Sequence, residues 1–106
     1  MYWDTHMHCH FSGDCESTPQ SMVQAAISKG LAGICFTDHM DYDYPQNPQD
    51  PVVFEFDPCE YDRAMRSLQQ DYKGRLHILH GIELGLQPHL AAKHAQLLQE
   101  HPYDFV

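Results

Sequence analysis

Three short stretches of this chain concentrate side chains that bind metal ions or carry protons: His6-Met7-His8-Cys9-His10 with Asp14 beyond Gly13, Thr37-Asp38-His39, and Gly81-Ile82-Glu83. Alternate residues of an extended segment share a face. His6 and His8 can therefore aim ring nitrogens at one ion without distorting the backbone, and Asp14 in the following loop can add a carboxylate. An adjacent Asp38 and His39 suit either a metal ligand with the group that orients it or an acid/base pair. Glu83 stands between Ile82 and Leu84, where a carboxylate has little reason to be unless something positive meets it. Imidazoles combined with hard carboxylates suit Zn²⁺, Mn²⁺ or Fe²⁺, and a carboxylate shared by two ions suits a multinuclear site. Taken singly, each stretch has a plainer reading: histidines at a strand end, an Asp38 that caps a turn, a Glu83 that faces water. Cys9, by parity opposite His6 and His8, reads as small apolar packing.

The elements that must position these residues follow from periodicity and punctuation. Met1–Cys9 alternates with Asp4, His6, His8 and His10 on one side and reads as a strand. Thr18-Pro19 opens a helix whose apolar positions Met22, Val23, Ala26 and Ile27 run to Gly30. Leu31–Thr37 is a continuous apolar run, expected of a strand covered on both faces. Pro45, Pro48 and Pro51 make residues 38–56 an irregular loop, and loops this long are usually functional. Asp57, Pro58 and Glu60 begin a second helix with Tyr61, Ala64, Met65, Leu68 and Tyr72 on one face, ending at Gly74. Arg75–Leu84 is a third strand, Pro88–Glu100 a third helix, and Tyr103–Val106 the opening of a fourth strand. A βαβαβαβ order implies an α/β fold with a parallel sheet and right-handed crossovers. Each ligand-bearing stretch then lies at the carboxyl end of a strand, where such folds hold their functional groups. Among the other histidines, His77 shares the parity of Glu83 and His80 does not, while His89, His94 and His101 read as solvated or structural.

The chain has 106 residues, length for one small domain. A complete barrel of this class takes at least about 200 residues. Asp104, Phe105 and Val106 carry no cap, turn or polar tail, so the chain is expected to stop inside a strand, as a fragment. A hydrophobic share of 42% supports a packed core rather than disorder. Fifteen acidic against six basic residues, a net charge of −9, disfavour a nucleic-acid partner. No apolar run approaches a membrane span and no basic-then-apolar leader opens the chain, so a soluble, cytoplasmic protein is expected. The four cysteines form no CxxC pair and read as reduced thiols.

In order, Asp4 to Asp14, Phe36-Thr37-Asp38-His39 and Gly81-Ile82-Glu83-Leu84-Gly85 resemble the first three motifs of the PHP (polymerase and histidinol phosphatase) superfamily, most closely its histidinol-phosphatase branch. The resemblance extends to Asp41-Tyr42-Asp43-Tyr44-Pro45 and Gly85-Leu86-Gln87-Pro88, and so spans nearly the whole chain. It implies the N-terminal portion of a distorted (βα)₇, TIM-like barrel, with residues 1–106 forming a partial PHP domain. It also implies up to three divalent ions, Zn, Mn or Fe, in the complete fold. His6 and His8 would bind one ion, Glu83 would bridge it to a second, Asp14 and His39 would belong to a third, and Asp38 would orient a ligand. Glu83 and His39 would be the catalytic residues, and no role is assigned to His10. The family's later ligands lie beyond the chain. The activity implied is hydrolysis of L-histidinol phosphate, with another PHP phosphoesterase, a nuclease or a non-catalytic metal-binding domain as alternatives. The 106-residue chain by itself is expected to be inactive and, with unpaired sheet edges, to self-associate.

Overall fold

A computed structural model describes residues 2–106. The elements are β1 (Trp3–Met7), α1 (Pro19–Ser28), β2 (Gly33–Met40), α2 (Pro58–Asp71), β3 (His77–Leu84) and α3 (Ala91–Glu100), the last entered through a 3₁₀ turn at Pro88–Leu90. The three strands form one parallel sheet in the order β1-β2-β3.

Local chemistry explains the helices. Thr18 Oγ1 accepts from the Ser21 amide at 3.1 Å, and Pro19 follows as the first residue of α1. Asp57 Oδ1 accepts from the Cys59 amide at 2.9 Å, Pro58 opens α2, and Glu60 places a carboxylate in its first turn. Tyr61, Met65 and Leu68, at spacings of four and three, are the buried face of α2. They pack with Val23 and Ala26 of α1 and with Ile34, Phe36, Leu76 and Ile78 into the main core. Met40, Tyr42, Ile82, Leu90 and Leu97 form a second cluster against α3. Every residue of β2 except His39 is buried, as its apolar sequence requires.

The strand ends differ from the sequence expectation. Met1 lies outside the described residues, and β1 stops at Met7 rather than Cys9. Its register against β2 shifts between Asp4 and Met7, and the chain then turns, with the Ser12 amide donating to Cys9 O at 3.0 Å. His10 therefore does not continue the line of His6 and His8; it is exposed and meets the Phe11 ring edge to face. β2 begins at Gly33 and extends through Met40, because β3 pairs with it as far as Leu84; Asp38 and His39 belong to the strand and not to the loop. β3 starts at His77, since Arg75 and Leu76 are still tied to Tyr72 O at 2.9 and 3.1 Å in the turn after α2. The expected fourth strand is a single parallel bridge of Phe105 with Gly81. Only a glycine admits this approach: a Cβ at position 81 would lie 2.8 Å from Phe105 O and 2.9 Å from Cys35 Sγ. Among the described residues, no helix is long and apolar enough to cross a membrane.

Candidate metal centre

β1, β2 and β3 bring His6, His39 and Glu83 to one end of the sheet, and the turn after β1 adds His8 and Asp14. The β2–β3 register sets His39 directly beside Glu83. Glu83 Oε2 lies 2.8 Å from His8 Nε2, 3.1 Å from His6 Nε2 and 3.6 Å from His39 Nε2. Asp14 reaches His8 Nδ1 with one carboxylate oxygen and His39 Nε2 with the other, each at 3.5 Å. Two ligand groups result, His6–His8–Glu83 and His8–Asp14–His39, joined through His8. The His8 and His39 side chains are mostly buried (18% and 20% exposed), whereas His6, at 64%, opens to solvent and leaves the site accessible.

Beneath the ligands lies a buried polar framework. The Asp38 carboxylate, fully buried, accepts from the Cys9 and Ser12 amides at 2.7 and 3.1 Å and from the Cys9 thiol at 3.3 Å. Burial first, and then Asp38, push the Cys9 thiol well up, so it stays a neutral donor. Cys9 is thus buried as expected, yet bonded to a carboxylate rather than merely packed. Ser12 Oγ accepts from the His39 amide at 2.8 Å. The Tyr61 hydroxyl donates to Gly81 O at 2.8 Å and accepts from the Asp38 amide at 3.3 Å, joining α2, β2 and β3. Burial, with Asp38 adding to it, raises the Tyr61 phenol and keeps it protonated.

Of the sequence candidates, His6, His8, Asp14, His39 and Glu83 come together, and Asp38 supports them from below. Asp38 does not pair with the His39 ring: the carboxylate near His39 Nδ1 is Asp41 Oδ2, at 3.4 Å. Asp41, Ser12 and Tyr61 were not singled out for the site, because their roles arise only when distant segments meet. Phe54, from the loop after β2, stands edge to face with His39 at 5.1 Å between ring centres. The other histidines lie elsewhere. His77 stacks on Trp3, and His89 pairs with Asp43 at the surface. His94 is buried beside Tyr42, and His101 is paired to Asp62 at 2.6 Å. His80 is buried on the α2 side, where burial, opposed by Asp62 and Asp104, holds its imidazole below the usual value.

The donor set calls for cations. His8 stands between two carboxylates, and a neutral imidazole that donates from Nε2 to Glu83 turns a lone pair from Nδ1 toward Asp14. Three imidazoles facing a single Glu83 oxygen compound the mismatch. Among the described residues, every ion pair within 4.0 Å of a carboxylate is made by a histidine, so neither lysine nor arginine supplies the missing charge. Divalent ions between these nitrogens and oxygens would turn these contacts into ligand bonds.

A parallel α/β sheet with such a cluster at its strand ends has the layout of a metal centre on a TIM-like barrel. The PHP domain family matches residues 4–106, and the chain belongs to that family. It is 35% identical over 103 residues to the histidinol-phosphatase of Lactococcus lactis subsp. lactis and 34% identical over 107 residues to a probable histidinol-phosphatase of Deinococcus radiodurans. Each match covers 97% of this chain but only 36% and 39% of the relatives' lengths. Among solved structures, it superposes with a TM-score of 0.89 and 34% identity on the Lactococcus lactis histidinol phosphate phosphatase complexed with Zn, L-histidinol and phosphate. That match covers 99% of this chain and 38% of the other, so the fold described here is part of a TIM-like barrel.

Proposed function

We propose that this chain contributes the metal-binding face of a phosphoesterase that hydrolyses L-histidinol phosphate to L-histidinol and phosphate. The observation that carries the reading is the convergence of three imidazole nitrogens, from two strand ends and the turn after β1, on one oxygen of Glu83. The substrate is supported by what the Lactococcus lactis structure holds.

In this reading His6, His8 and Glu83 hold one ion, Zn²⁺ by preference over Mn²⁺ or Fe²⁺, and Glu83 also serves a second. Asp14 and His39 would hold a further ion. Bound divalent ions lower the pKa of water and neutralise phosphate oxygens. Glu83 and His39 are the catalytic residues, fixing charge where the reacting phosphate sits, with Asp41 beside the His39 ring. A chain with six basic residues and a net charge of −9 has little else with which to hold a dianion. Residues 1–106 constitute a partial PHP domain of a cytoplasmic protein. Free Cys9, Cys15, Cys35 and Cys59 suit a reducing compartment. Burial, helped by Asp104, pushes Cys35 up to about 11 and keeps it unreactive.

Metal analysis after dialysis against Zn²⁺ tests the centre: zinc is expected in the wild-type chain and lost in the His6→Ala/His8→Ala double variant, and equal content in both overturns the reading. Zinc-dependent binding of L-histidinol phosphate, followed by ³¹P NMR, tests the substrate. Turnover is expected to be absent from the 106-residue chain, because its three strands match only 38% of the zinc-bound structure. Chelator-sensitive phosphate release that disappears in His39→Ala would show that these ligands suffice. The same reading includes self-association, with Trp3, Leu86, Phe105 and Val106 exposed, checked by sizing at several concentrations.

A further inference from the structure

The two ligand groups are built differently. Glu83 is paired with His39 in the β2–β3 ladder and His6 lies within β1, in the stretch where its register shifts, whereas Asp14 lies in the turn after β1 and must be brought to His39 across a gap in the sheet. β1 last pairs with β2 at Phe36, so the His39 amide lies beyond the reach of that ladder. Ser12 closes the gap. It is 1% exposed; its Oγ accepts from the His39 amide at 2.8 Å, its own amide donates to Asp38 Oδ1 at 3.1 Å, and its carbonyl accepts from the Cys15 amide at 3.2 Å. The last of these bonds closes the turn that carries Asp14. One buried hydroxyl thus ties the Asp14 turn to the strand residue that bears the opposing imidazole.

Resting on the metal-centre reading above, we infer that Ser12 is a positioning residue that sets the separation of Asp14 and His39. It thereby controls ion binding at Asp14 and His39 more than at the His6–His8–Glu83 group. The preference follows from connectivity: no atom of Ser12 is bonded to His6, His8 or Glu83, whereas its hydroxyl holds the His39 amide and its carbonyl closes the turn that carries Asp14.

The test is zinc titration of the full 106-residue chain by calorimetry, alongside backbone NMR of the metal-free protein. Wild type is expected to show two classes of site, assigned by which one Asp14→Ala removes and which one His6→Ala removes. Ser12→Ala is expected to weaken the Asp14-dependent class by roughly 10- to 100-fold, the range for loss of a group that supports a ligand, and to affect the His6-dependent class less. In the metal-free protein, Ser12→Ala is expected to speed exchange of the His39 amide. Ser12→Cys, of similar size with a weaker acceptor, should fall between the two and serves if Ser12→Ala does not fold. Faster amide exchange with both zinc classes intact would make Ser12 merely structural and overturn the inference. A wild-type chain that binds no zinc at all would instead overturn the metal-centre reading on which it rests.

Discussion

Glu83 Oε2 is the point on which three imidazole nitrogens converge, and Asp38 is the point on which the turn carrying two of the five ligands hangs. Their losses should differ in kind. Glu83→Gln replaces an anionic oxygen with an amide and is expected to reduce zinc affinity beyond the roughly 10- to 100-fold range of supporting groups, with little change in folding, since the side chain is partly exposed. Calorimetric titration with a thermal melt separates the two effects. Asp38→Asn keeps the shape but turns an amide N–H₂ toward the donors of Cys9 or Ser12, leaving buried donors unpaired. It should lower stability by about 1–3 kcal/mol, read from urea unfolding, and weaken zinc within that same supporting range. The clustering of the five candidate ligands was legible because His6, His8, Asp14, His39 and Glu83 all stand at or just beyond the carboxyl ends of strands that the sequence marks locally. Ser12 and Asp41 were not. Ser12 acts on a strand residue 27 positions away, and Asp41 rather than Asp38 lies near the His39 ring because β2 continues past Thr37.

Elements carry the site because parallel strands all end on one side. The Thr18-Pro19 and Asp57-Pro58 starts were readable because capping is local, and so was the buried run of β2. The ends of the strands were not, because a partner decides them: β3 extends β2 to Met40, the register shift against β2 ends β1 at Met7, and Phe105 finds only Gly81 to pair with. That last contact makes a prediction. A Cβ at position 81 meets Phe105 O, Cys35 Sγ and Phe36 O at 2.8–3.0 Å, two of them backbone atoms that cannot swing aside. Gly81→Ala should therefore cost about 1–3 kcal/mol of overpacking and release the Phe105 pairing. Amide exchange at Ile82, which donates to Phe105 O at 3.0 Å, should rise more than at Ile78. Unchanged protection at Ile82 would show that the sheet relaxes around the methyl group.

Across the whole molecule, carboxylates outnumber lysines and arginines, and histidines face them away from the metal centre as well as within it. Asp62 on α2 lies between His101, at 2.6 Å, and His80 of β3, at 3.4 Å, while the His80 amide donates to Asp104 Oδ2 at 2.9 Å. This cluster closes α2 and the segment after α3 over β3. Burial holds the His80 imidazole below its ordinary value of 6.5 despite the pull of Asp62 and Asp104, with Arg66 and His101 adding to the depression. The sign of the linkage follows. Between the lowered folded value and 6.5 the unfolded chain binds a proton that the folded chain resists, so stability is fully present above 6.5 and declines as the pH falls through that window. His80→Phe keeps an aromatic ring between Tyr61 and Tyr103 and removes the titrating nitrogens. In metal-free protein, the urea midpoint of wild type is expected to fall on acidification from pH 7.5 to 5.5, and that of His80→Phe to fall less steeply. Equal slopes would place the acid sensitivity outside His80.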